Sequence, residues 1–150
     1  MWANPRVSGY LTEALQHEMT AVQQYLTQAS LCRMWGYETH AGAFRTEANE
    51  ELAHAELLIE RMLALGLVPN ATRLSPVRPG RDLREMLLVD RKLELDAVLL
   101  YEAAARGSAR LRDFESARLF ERLLVDEEAH VREIDSLLAN HECTAVKNGG

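Results

Sequence analysis

The chain is poor in cysteine. Cys32 and Cys143 are the only two in 150 residues. They form no CxxC pair, so there is no disulfide framework, and two isolated thiols read as free cysteines in a reducing compartment. A basic surplus is also missing. The formal net charge is −6, which argues against nucleic-acid binding through a basic surface. No stretch approaches the roughly 18 apolar residues that a membrane span needs, and Met1 to Val7 is too short and polar for a signal peptide. Proline is scarce, and three of the 4 prolines fall between residues 67 and 81. These absences point to a cytoplasmic protein that works on neither nucleic acid nor membrane.

What is present favours helix. Leu, Ala, Glu and Arg dominate, all strong helix formers. A chain of this length buries a core without staples. Asn4-Pro5 opens a first helix as cap and first residue. Leu11, Leu15, Val22, Ala29 and Cys32 form its apolar stripe, interrupted by Glu18 and Tyr25, and it ends near Trp35-Gly36. A second helix runs from about Glu38 to Leu65, with Phe44, Glu47, Glu51, Ala55, Leu58 and Met62 facing inward. Gly66 ends it. Residues 67–81 hold Pro69, Pro76 and Pro79 and show no periodicity. Proline removes backbone donors and stops helices, so this is a long crossover that leaves helices two and three parallel. Asp82 and Glu85 form a capping-box-like start for helix three, which is expected to end at Gly107. Asp113 can cap helix four. The reading is therefore all-α, a four-helix bundle over residues 1–140, with 141–150 as a flexible C-terminal tail.

Two Glu-x-x-His pairs stand on these stripes, Glu51 with His54 and Glu127 with His130, 76 residues apart. A lone glutamate precedes each by 33 residues: Glu18 before the first pair, Glu94 before the second. Residues three apart on a helix share a face. Two lone glutamates plus two Glu-x-x-His pairs are the ligand set of a carboxylate di-metal site in a four-helix bundle. A single such pair is usually a solvated helix face. The doubled pattern on apolar stripes is different, because an unpaired carboxylate in a core costs several kcal/mol or protonates, and divalent cations cancel its charge. Four carboxylates and two imidazoles suit iron or manganese better than a structural zinc site. Tyr25 and Tyr101 each follow a lone glutamate by 7 residues, two helical turns, which puts both rings on the carboxylate face. Glu47, one turn before Glu51, is a candidate accessory ligand. Glu50 reads as a solvated acid, and His17, His40 and His141 as surface residues.

From about Tyr10 to Leu138 the sequence resembles bacterioferritin, a ferritin-like di-iron carboxylate family. The matching stretches are Glu18 to Tyr25, Trp35-Gly36, Glu51 to Arg61, Pro69-Asn70, Leu93 to Asp96 and Asp126 to His130. The resemblance implies an iron-storage and ferroxidase subunit. Fe(II) would be oxidised by oxygen or hydrogen peroxide at a dinuclear iron centre, and ferric mineral would collect in a hollow 24-subunit shell built from two-fold dimers. It places Glu18, Glu51 and His54 on one iron and Glu94, Glu127 and His130 on the other, with Glu51 and Glu127 bridging and Tyr25 in the layer behind the ligands. The homo-oligomer could mix with a haem-binding sibling, and a ferredoxin-type electron donor is a candidate partner for iron release.

The chain also departs from the family. The haem-ligating methionine position is Leu52, which has no lone pair to offer iron. Thr46 and Glu50 stand where some members hold inner-surface iron with His and Asp. No clear fifth helix is legible after His141. The competing function is a di-iron or di-manganese enzyme on a small substrate, either catalase-like or an oxygenase, without mineral storage. Iron content per subunit separates the two.

Overall fold

The computed structural model describes residues 3–148, with side chains described as far as His141. Four helices make up the fold: α1 (Pro5–Met34), α2 (Glu38–Ala64), α3 (Leu83–Arg110) and α4 (Phe114–Asn148). Among the described residues there is no strand.

Capping follows the sequence closely. The Asn4 side chain accepts from the Arg6 amide at 2.9 Å, with Pro5 in the first turn. Asp82 accepts from the Glu85 amide at 2.8 Å, and Asp113 accepts from the Ser116 amide at 3.0 Å. Each bond satisfies a donor left free at a helix start. Past the ends of α1 and α2, Gly36 and Gly66 take positive φ, the usual role of glycine just beyond a helix.

Two expectations are corrected. Helix α3 does not stop at Gly107 but continues to Arg110. Gly107 lies inside the helix, where the Tyr10 ring leaves no room for a side chain: a Cβ there would lie 2.4 Å from the Tyr10 hydroxyl. The chain turns instead at Arg112, a non-glycine residue at φ 63°. At the other end, α4 runs on to Asn148, through most of the stretch read as a tail. Residues 149–150 lie outside the described residues. The crossover at 67–81 carries no helix. It is tied to α1, since the Ser75 amide donates to Thr20 Oγ1 at 3.2 Å and Gln28 Nε2 donates to the Pro79 carbonyl at 3.0 Å.

Side-chain bonds fix the topology. Tyr25 of α1 meets Glu94 of α3, and Glu18 of α1 meets Tyr101 of α3, so these helices are antiparallel. On the other side Arg61 of α2 meets Asp113, and His130 of α4 meets Glu50, so α2 and α4 are antiparallel too. Helices α2 and α3 are then parallel, as the long crossover requires. Two apolar clusters fill the ends of the bundle. One contains Leu11, Leu58, Met62 and Phe120, the other Ala29, Phe44, Met86 and Ile134. Cys32 is buried in the second, with Sγ 3.8 Å from Met86 Sδ. The side chain of Cys143 lies outside the described residues. His40 is exposed, whereas His17 and His141 are half-buried.

Candidate metal centre

Between the two apolar ends lies a waist of charge. Glu18, Glu51, Glu94 and Glu127 are each 0–1% exposed, and His54 and His130 are buried beside them. One group of ligand atoms brings together Glu18, Glu51, His54 and Glu127, and another Glu51, Glu94, Glu127 and His130. Within each group the atoms lie within 4.8 Å of one another. Glu51 and Glu127 belong to both. His54 Nδ1 is 2.9 Å from Glu127 Oε1 and 3.6 Å from Glu18 Oε1. His130 Nδ1 is 3.1 Å from Glu51 Oε1 and 3.7 Å from Glu94 Oε2. The rings face each other with centroids 6.3 Å apart.

The lone glutamates are each held by a tyrosine from the opposite half. Tyr25 donates to Glu94 Oε1 at 2.6 Å, and Tyr101 donates to Glu18 Oε1. Behind each tyrosine stacks a phenylalanine: Phe44 at 6.3 Å and Phe120 at 6.1 Å between ring centroids. Burial and the surrounding carboxylates push both phenols well above the usual tyrosine range, so they stay donors. The outer nitrogens of the histidines are also engaged. His54 Nε2 is 3.0 Å from Asp126 Oδ2 and His130 Nε2 is 2.5 Å from Glu50 Oε2. A carboxylate on Nε2 fixes the ring and its tautomer and leaves Nδ1 to face the centre.

The donor set fits a pair of divalent cations. The buried atoms lacking a hydrogen-bond partner include both oxygens of Glu51, both of Glu127, Oε2 of Glu18 and of Glu94, and Nδ1 of each histidine. Every one of the six residues thus turns an unpartnered atom inward, which buried polar groups rarely do. Charge balance explains how the protein tolerates this. Burial alone would lower the histidines, but the facing carboxylates of Glu127, Glu18 and Glu51 hold His54 far above its usual range, and those of Glu127 and Glu51 push His130 up to about 12. Burial and the Glu18 charge push Glu51 well above the usual range. Burial also acts to raise Glu127, yet the two histidines win and draw it down to about 2.

Sequence reasoning missed several residues. Glu50 reads as a solvated acid from sequence and Asp126 draws no attention, although they share the 76-residue offset of the candidate ligands. Glu47 sits outside the centre, with Oε2 3.3 Å from the outer nitrogen of His130. Together with Glu50 and His130 it makes a further group of ligand atoms. Asp90, one turn before Glu94, is 1% exposed and bonds Gln24 Nε2 at 2.9 Å. Its helical register with Glu94 was the available signal. Leu52 is 44% exposed on the outer side of α2.

Comparison with known proteins agrees with this geometry. Residues 9–144 match the ferritin-like domain. The bacterioferritin of Brucella melitensis is 37% identical over 138 residues, covering 92% of this chain and 86% of that one. The chain belongs to the bacterioferritin family. The Streptomyces coelicolor bacterioferritin is 38% identical over 141 residues, covering 92% of this chain and 83% of its own. The Rhodobacter capsulatus bacterioferritin, solved with a metal-free dinuclear site and haem iron in a crystallographic special position, superimposes with a TM-score of 0.92. It is 36% identical, and the match covers 95% of this chain and 89% of that chain. As a bacterioferritin, the chain is an iron-storage protein and a ferroxidase, an oxidoreductase acting on Fe(II). Among the described residues no helix is long and apolar enough to cross a membrane.

Proposed function

We propose that this ferroxidase oxidises Fe(II) at a dinuclear centre whose ligands are the six waist residues. Glu18 and His54 take one iron, Glu94 and His130 the other, and Glu51 and Glu127 bridge. The sharing of Glu51 and Glu127 between two four-residue groups is the observation that carries this reading. Bound Fe(II) supplies the electrons that reduce oxygen or peroxide. The chain's own residues do the rest. Tyr25 and Tyr101 orient the terminal carboxylates, and Asp126 and Glu50 orient the imidazoles. Metal binding requires the imidazole nitrogens and carboxylates to be deprotonated, so iron loading should strengthen as pH rises. By family membership we further infer a cytoplasmic shell of many copies that stores the oxidised iron as ferric mineral, with a ferredoxin-type donor releasing it.

The test combines assembly size with iron content. Wild type is expected as a large shell that takes up far more than the two irons per chain of its centres. Glu94→Ala should assemble normally but lose the rapid phase of Fe(II) oxidation. Saturation at two irons per chain would mean a catalyst without storage, and an unchanged initial rate in Glu94→Ala would remove Glu94 from the centre.

Haem is a separate matter. Leu52 offers no lone pair, so protein expressed alone with haem supplied should show no Soret band of bis-methionine character. One haem per two chains with that signature would contradict the inference from Leu52. Its appearance only on co-expression would point to a methionine-bearing sibling.

A further inference from the structure

Outside the centre the bundle buries one more set of polar groups, and the other half of the chain shows that the fold does not need them. Asp90 is 1% exposed. Its Oδ1 accepts from Gln24 Nε2 at 2.9 Å, while its Oδ2 is buried without a hydrogen-bond partner. Glu47 Oε2 also lacks a hydrogen-bond partner, though it lies 3.3 Å from the outer nitrogen of His130. At the 76-residue offset that relates all six ligands, the counterpart of Asp90 is Ala14, that of Gln24 is Leu100, that of Gln28 is Ala104 and that of Glu47 is Leu123. Ala14, Ala104 and Leu123 are fully buried. The same helix positions therefore pack with apolar side chains in one half and carry acids in the other, one of them with a buried oxygen that accepts no hydrogen bond. An uncompensated buried carboxylate destabilises a fold, so a function at the polar end is the simpler explanation.

These acids line a cavity of about 260 Å³. Exposed residues Thr39, His40 and Ala43 border it near the start of α2, and buried Tyr25 and Asp90 border it within the bundle. Glu47 and Glu133 complete its acidic wall. The Tyr25 hydroxyl bonds Glu94, so the cavity reaches from the surface to one side chain short of the centre. Liquid water takes about 30 Å³ per molecule, which leaves room for an ion with several of its waters.

We propose that this cavity is a staging site for a divalent cation, Fe(II) in use, held by Asp90 and Glu47 on the way to the dinuclear centre. It deepens the reading that the six waist residues hold iron. The acids focus cations from the surface, and the fixed Asp90 carboxylate offers its free oxygen. Iron then passes beside Glu47 toward Glu51, one turn along α2. At the opposite end the counterparts of Asp90 and Glu47 are Ala14 and Leu123, which offer a cation no ligand.

Anomalous diffraction from crystals of the whole protein soaked anaerobically in Mn(II), which stands in for Fe(II), tests this directly. Wild type should show ions at the centre and a further peak at Asp90 Oδ2. Asp90→Asn, which keeps the volume and an acceptor for Gln24, should lose the cavity peak alone. A filled centre with an empty cavity, or a cavity peak that persists in Asp90→Asn, overturns the proposal. An occupied cavity beside an empty centre overturns the dinuclear reading and the staging role with it. Stopped-flow kinetics separate delivery from chemistry. When Fe(II) is mixed with oxygenated protein, Asp90→Asn should be slower by about tenfold, the lower end of what a charged cleft adds to association rates. When the same variant is preloaded with Fe(II) anaerobically and then meets oxygen, its rate should match wild type. Ala43→Phe, which narrows the mouth and leaves Asp90 in place, should show the same split. Equal rates in the delivery format, or a slowdown in the preloaded format, count against the staging site.

Discussion

The two halves of the bundle agree at the centre and disagree beyond it. At a 76-residue offset Glu18 answers to Glu94, Tyr25 to Tyr101, Phe44 to Phe120, Glu50 to Asp126, Glu51 to Glu127 and His54 to His130. The structure repeats the match in contacts: each tyrosine bonds the lone glutamate of the other half, and each histidine turns its outer nitrogen to an acid. One layer further out the match stops. Asp90, Gln24 and Glu47 meet Ala14, Leu100 and Leu123. Where both halves carry the same chemistry, the chemistry belongs to the shared centre. Where only one half carries it, that half has a task the other lacks.

The largest expected effect breaks the asymmetric layer. Burial raises the Asp90 carboxyl from 3.8 to about 7, against the pull of the Gln24 hydrogen bond. A carboxyl raised on folding contributes stability at low pH that is lost as pH climbs through the folded value. With divalent cations chelated, Asp90→Asn should equal wild type in stability near pH 4 and exceed it above pH 7. By linkage at 1.36 kcal/mol per pH unit the ceiling is roughly 4 kcal/mol. Denaturant unfolding across that range checks it, and a gap that does not change with pH would show that Asp90 is ionised throughout.

A smaller effect sharpens the symmetric layer. Tyr25→Phe and Tyr101→Phe each remove one hydrogen bond to a terminal carboxylate and little else. Losing a partner behind a metal ligand typically costs 10–100-fold in affinity or activity, so each variant should lose about tenfold in the rapid phase of Fe(II) oxidation. The two losses should be similar. A large loss at Tyr25 beside none at Tyr101 would mean that the symmetry in geometry is not a symmetry in function.

Much of this was legible in the sequence because it rests on local rules. Helix starts at Asn4, Asp82 and Asp113 follow from side chains that reach their own first turns. The convergence of the six waist residues follows from equal spacing on apolar stripes, and the placement of Tyr101 from the same repeat. The misses were long-range. Gly107 reads as a helix stop until the Tyr10 ring is seen against it. Arg112 takes positive φ, a turn that spacing alone does not announce. Asp90 and Glu47 lie on the inward face by register, but the cavity they line depends on all four helices packing at once. Leu52 could be read only as a residue without a lone pair; its partly exposed position came from the structure.

The central claim is that the waist holds two irons, and iron-edge anomalous diffraction from crystals loaded anaerobically with Fe(II) tests it most directly. Two peaks are predicted, roughly 3.5–4 Å apart as in other two-metal sites, with Glu51 and Glu127 between them, Glu18 and His54 at one end and Glu94 and His130 at the other. A single peak, or iron only on surface carboxylates with the six waist side chains uncoordinated, would contradict it.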